Sequence, residues 1–96
     1  MANSLVSIQI IPNAPVGKDT YTMVDDAIAE IDTAHVKYQV NPLETTMEGD
    51  LSQLLKVIEK MNSRMVKAGA DNVISQIKIL HQPKGVTMDS LNEKYR

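Results

Sequence analysis

The sequence predicts an α+β domain: a four-stranded antiparallel sheet with two helices on one face and a short helix towards the carboxyl end. Runs of β-branched residues and runs of helical period follow one another as strand, helix, strand, strand, helix, strand. A length of 96 residues with 43% hydrophobic content suits one compact domain, 1–96, and is too small for two. Two β-α-β halves in so short a chain predict the split arrangement called ferredoxin-like, with helices on one side of an antiparallel sheet.

Each element has its own signal. Residues 4–12, "SLVSIQIIP", are rich in β-branched side chains and stop at Pro12, which has no N–H for a sheet ladder. Val6, Ile8 and Ile10 share one face of this strand, and Leu5, Ser7, Gln9 and Ile11 the other. Two prolines and a glycine in 12–17 make a loop. Asp19 or Thr20 can then cap a helix whose apolar residues, Tyr21, Val24, Ile28 and Ile31, recur at three and four and which ends near His35.

"VKYQVN", 36–41, alternates Val36, Tyr38 and Val40 with Lys37, Gln39 and Asn41 and turns at Pro42, so it reads as a half-exposed strand. "LETTMEGD", 43–50, is the next, with Leu43, Thr45 and Met47 on one face and Glu44, Thr46 and Glu48 on the other. Asp50 with Gln53 has capping-box spacing for a second helix. Its stripe is Leu51, Leu54, Leu55, Ile58, Met61 and Met65, and Gly69 supplies a left-handed end. "NVISQIKILHQP", 72–83, is the last strand, its faces Val73, Ser75, Ile77, Ile79 and Ile74, Gln76, Lys78, Leu80. A short helix follows Thr87, with Met88, Leu91 and Tyr95 on one side.

Composition narrows the function. A net charge of −2 and a pI near 5.6 argue against nucleic-acid binding through phosphate neutralisation. No cysteine is present, which removes disulfides, thiol nucleophiles and thiolate metal sites. His35 and His81 have no second ligand at metal spacing, so no metal is expected. Lys56, Lys60, Arg64 and Lys67 follow helical spacing on the side away from Leu54 and Ile58, as a solvated face does. "MANSLVSIQII" lacks a signal-peptide pattern and no run of 18 apolar residues occurs, so the expectation is a soluble, cytoplasmic protein without membrane contact.

The helix-free face of the predicted sheet carries large aliphatics at the strand ends and a polar middle: Ser7, Gln9, Gln76, Lys78 and the row Glu44, Thr46, Glu48. Apolar patches of that kind mark association. The expectation is two sheets from two chains packed face to face around a hydrophilic centre. Amides and hydroxyls midway along aliphatic strands need partners once buried, supplied across strands, across subunits or by a ligand. Lys78 either reaches solvent or pairs with Glu44 or Glu48.

Four segments, in order along the chain, resemble the thiamine-binding protein family: "VSIQIIP" its opening strand, "YTMVDDAIAEI" its first helix, "ETTMEG" its Thr-x-x-Glu strand and "ISQIKI" its last strand. Thr45 and Glu48 stand at the matching Thr and Glu positions, and Glu44 stands where a glycine is common. The resemblance implies a ferredoxin-like fold, homo-oligomers, dimeric or tetrameric, built by sheet packing, and binding of thiamine or its hydroxymethylpyrimidine part without catalysis or cofactor. An aminopyrimidine presents a ring-nitrogen acceptor beside an amine donor. Glu48 can accept from the amine, and Thr45 and Thr46 can donate and accept. The candidate ligand-binding set is therefore Ser7, Gln9, Thr45, Thr46, Glu48, Gln76 and Lys78.

Two other readings compete. An acylphosphatase-like hydrolase needs an arginine in the loop after the first strand, and "PNAPVGK" has none; Arg64 and Arg96 are the only arginines. No Ser-His-acid set or glycine-rich phosphate loop is evident. An amino-acid-sensing regulatory module accompanies a catalytic domain, which this chain lacks. A purely structural homo-oligomerisation module without a thiamine ligand stays as the alternative.

Overall fold

The computed structural model describes residues 2–95. The order is β1 (Ser4–Pro12), α1 (Thr20–Thr33), β2 (Lys37–Val40), β3 (Thr45–Gly49), α2 (Leu51–Lys67), β4 (Val73–His81) and α3 (Met88–Asn92), with a single 3-10 turn at Glu93–Tyr95. The strands form one antiparallel sheet in the order β2-β3-β1-β4. This is the predicted ferredoxin-like arrangement.

Alternation along β1 puts Val6, Ile8 and Ile10 beneath α1 and α2. There they form one core with Met23, Ala27, Ile31, Met47, Leu54, Val57, Ile58, Met61 and Met65. At roughly 1.5–3 kcal/mol for each large side chain taken out of water, this layer is the main source of stability. Four of the methionines are in it, consistent with their use as adaptable core filler.

The helix ends show which local signals act. Asp19 caps α1, accepting from the Tyr21 N–H at 3.3 Å and from the Thr22 hydroxyl at 3.2 Å. At α2 the expected capping box does not form. Asp50 occupies the cap position without a side-chain bond, and Asn3 Oδ1 instead accepts from the Leu51 N–H at 3.1 Å. Gly69 ends α2 at φ +108°, and a Cβ there would lie 3.2 Å from Pro15, so the 13–18 loop packs tightly over this turn.

Two apolar assignments shift. On α1 the buried residues are Met23, Ala27 and Ile31, and Tyr21 is 82% exposed, because the packed face is centred on Ala27 and Tyr21 lies about 120° around the helix from it. On α2, Val57 is buried and Leu55 faces outward. β4 is exposed along most of its length on both faces, since it is an edge strand that α2 reaches only near its start, where the Ser75 hydroxyl donates to Asn62 Oδ1 at 3.2 Å.

Candidate functional site

The open face can be read row by row from the pairing register. One row runs Gln39, Thr46, Ser7 and Lys78 across all four strands, and every member is polar. A second contains Lys37, Glu48, Leu5 and Leu80. On the other side of the polar row lie the paired Gln9 and Gln76, then the paired Ile11 and Ile74. Ile11, Ile74 and Leu80 are exposed, so a polar centre sits between aliphatic margins.

The face is not wholly bare. After β4 the chain crosses to this side, where Val86 and Met88 bury Leu5 in a small second apolar cluster. The segment is tied by backbone bonds from Gln82 N–H to Asn3 O (2.8 Å) and from Val86 N–H to Ala2 O (3.1 Å). Thr87 caps α3 by accepting from the Ser90 N–H at 3.0 Å. An ion pair of 2.6 Å from Lys37 to Asp89 joins α3 to β2. Between α3 and the sheet runs a groove of about 320 Å³, lined among others by Leu5, Gln39, Asn41, Thr46, Met88 and Leu91.

The seven candidate residues separate by position. Ser7 and Thr46 are neighbours at the centre, their hydroxyl oxygens 2.6 Å apart; Thr46 also lines the groove. Gln9 is half-buried and Gln76 exposed in the adjacent row. Lys78 Nζ donates to Glu44 Oε1 at 3.1 Å, bridging over β1 on this face. Glu48 is half-buried, and its Oε1 accepts from the Met88 N–H at 2.8 Å. That oxygen fixes the start of α3.

Thr45 is separated from the other six. It pairs with Ile8 on the helix side of the sheet and is only 5% exposed, so strand alternation removes it from the open face on which the remaining candidates lie. The pair that the Thr-x-x-Glu spacing placed together, Thr45 and Glu48, points to opposite faces because three residues along a strand is an odd step.

Sequence reasoning left Gln39, Asn41, Met88 and Leu91 outside the candidate set. Alternation in "VKYQVN" was the available signal for Gln39, which shares a face with Lys37. For Met88 and Leu91 no local signal existed, because nothing in the 82–87 stretch says on which side of the sheet the chain returns.

Comparison with known proteins supplies independent findings. The family model described as thiamine-binding protein matches residues 6–96. A UPF0045 protein from Clostridium perfringens is 42% identical over 91 residues, covering 95% of each chain. A domain of unknown function from Bacillus cereus superposes with a TM-score of 0.91 at 40% identity, over 99% of this chain and 92% of that one. A protein proposed to act in thiamine biosynthesis or salvage, from Thermotoga maritima, gives a TM-score of 0.83 at 28% identity over 97% and 98%.

Proposed function

The chain belongs to the thiamine-binding protein family, and from that premise we propose that it is a non-catalytic binder of thiamine or a related aminopyrimidine. The proposed seat is the open face of the sheet, closed by a second copy of the chain. The observation that carries this reading is the polar row Gln39, Thr46, Ser7, Lys78 flanked by exposed aliphatics and a groove under α3. A flat heterocycle needs apolar surface on its faces and donors and acceptors at its edge. Met88 and Leu91 offer the first, and the Thr46 and Ser7 hydroxyls with the Gln39 amide offer the second.

In this reading Ser7 and Thr46 exchange part of their mutual bond for bonds to the pyrimidine edge. Gln9 and Gln76 supply further donors and acceptors one row away. Glu48 acts as a positioning residue, holding α3 through the Met88 N–H, and its charge lies on the same face as any cationic ring. Lys78 stays with Glu44 and closes the far side of the polar row. The second copy rests on Ile74, Leu80 and Ile11, which are the exposed aliphatics of that half of the face.

Thermal melting of the protein with thiamine, thiamine diphosphate, hydroxymethylpyrimidine and a panel of amino acids, each at millimolar concentration, tests the proposal. A ligand bound only by the folded form adds about 2.7 kcal/mol at a hundred times its Kd, so a pyrimidine-specific rise in Tm is expected. A second reading, association without ligand, has one observation in its favour: Ser7 and Thr46 already satisfy one another at 2.6 Å. Flat melting curves with every pyrimidine would select it.

A further inference from the structure

After β4 the chain is held to the sheet in two different ways. Up to Val86 the ties are main-chain bonds: Gln82 N–H to Asn3 O, Gly85 N–H to Gln82 O at 2.8 Å and Val86 N–H to Ala2 O. Gly85 takes a φ of +111° at that turn, a left-handed conformation that glycine adopts at little cost. From Met88 on the ties come from side chains. Glu48 accepts the Met88 N–H at 2.8 Å, Lys37 pairs with Asp89 at 2.6 Å, and Met88 packs with Leu5. The change from main-chain to side-chain ties falls at Val86–Thr87, so residues 87–95 are attached as an arm to a fixed root.

Lys37 and Glu48, the two side chains that hold the arm, are register partners on β2 and β3. Residues directly opposite on antiparallel strands have Cβ atoms about 4.5–5.5 Å apart, and opposite charges so placed attract. The sheet charges therefore have two arrangements. With the arm down, Lys37 goes to Asp89 and Glu48 to the Met88 N–H. With the arm up, Lys37 and Glu48 take one another, and Asp89, whose side chain is already half exposed, goes to water. Both arrangements give each sheet charge a partner, so they lie closer in free energy than a count of broken contacts implies. Beneath the arm lies the groove of about 320 Å³. Its floor is Leu5, Gln39, Asn41 and Thr46 and its cover is Met88, Leu91 and Asn92, so the groove is complete only with the arm down.

We propose that residues 87–95 are a hinged strap that governs entry to this groove. Lys37 is the positioning residue that changes partner as the strap moves, from Glu48 with the strap up to Asp89 with the strap down. The inference rests on the open-face reading for the ligand's seat and adds how that seat opens and closes. A ligand that touches both floor and cover binds the strap-down form alone and draws the population towards it.

Solvent exchange of the Met88 amide, read by nuclear magnetic resonance against that of Val86 and normalised to unfolded-chain rates, tests it. Met88 is expected to exchange at least about tenfold faster than Val86, the sign of an arm opening from a fixed root. Asp89→Asn removes the strap-down pair and keeps the competing one, and is expected to speed Met88 exchange about fivefold. Lys37→Met removes both and is expected to speed it about twofold at most. The double variant is expected to match Lys37→Met, so that loss of the lysine partly rescues Asp89→Asn, with Val86 exchange and Tm unchanged throughout. A static ion pair gives one rate in all three variants, and that result overturns the proposal, as does a Met88 amide protected as well as Val86. Hydroxymethylpyrimidine at millimolar concentration is expected to slow Met88 exchange at least about threefold. A rise in Tm without that slowing overturns the strap as a cover. Flat melting with that probe beside the expected variant cycle supports the hinge and the change of partner and counts against the open-face reading alone.

Discussion

β1 and β4 are both nine residues long, pair along their full length and carry a similar alternation of aliphatics with Ser and Gln, to which β4 adds Lys78. β1 is mostly buried and β4 mostly exposed. The difference comes from position: β1 lies inside the sheet beneath both helices, and β4 is its outer edge. A long, apolar edge strand open on both faces is a template for association. The comparison teaches that composition alone does not set burial, because a similar alternation is covered at an inner position of the sheet and left open at its edge.

The largest effect separates the two strands directly. Ile8 and Ile77 are register partners on the same face, 2% and 39% exposed. Ile8→Ala is expected to cost about 2–5 kcal/mol in urea unfolding, as core truncations do. Ile77→Ala should cost about 1 kcal/mol or less in the isolated chain, as its burial is partial. Equal losses at low and high protein concentration would break the comparison by showing β4 as well covered as β1.

Next in size is association. The double change Ile74→Asp with Leu80→Asp on the open side of β4 is expected to convert an oligomer to a monomer in light scattering while leaving the monomer's fold intact by circular dichroism. A wild-type chain that is already monomeric at micromolar concentration removes the second copy from the proposed site. Thr46→Val should then cost about 1 kcal/mol for its bond to Ser7, and a larger fractional loss in pyrimidine affinity measured by calorimetry. Loss of stability with unchanged affinity would assign Thr46 to the sheet alone.

The smallest effect concerns Tyr38, on the opposite edge strand. Its hydroxyl donates to Asp32 Oδ1 at 3.1 Å. That bond, then partial desolvation and the nearby negative charge, raise its pKa above the usual value of about 10. The folded state thus holds the phenol proton more tightly. The associated stability is complete below about pH 10 and is lost as pH rises through the raised value. Ultraviolet titration should show a late tyrosine ionisation, and Tyr38→Phe should abolish it.

Most of the fold was legible because β-branched alternation, the α2 stripe, the Asp19 cap and Gly69 are local signals that agree with the final packing. The misassignments have a common cause. Tyr21 has helical spacing to Val24 and Ile28, yet the face that packs is centred on Ala27, about 120° around the helix from it, and spacing alone does not say which edge of an apolar stripe a neighbour covers. Asp50 has capping-box spacing, yet Asn3, 48 residues before Leu51, accepts the Leu51 N–H bond. For the site, alternation correctly placed Ser7, Gln9, Thr46, Glu48, Gln76 and Lys78 on one face, and the same rule separates Thr45. Lys78 takes Glu44, one of the two partners anticipated. The groove wall from α3 depends on where the chain turns back, which pattern alone does not specify.

The short turn at 41–44 contributes no rung to the ladder that joins β3 to β1. Its four residues instead line a crevice beside the end of β1, and Asn41 also borders the groove under α3. Variation in this four-residue turn therefore reshapes the border of the groove while the methionine-rich interior is left untouched.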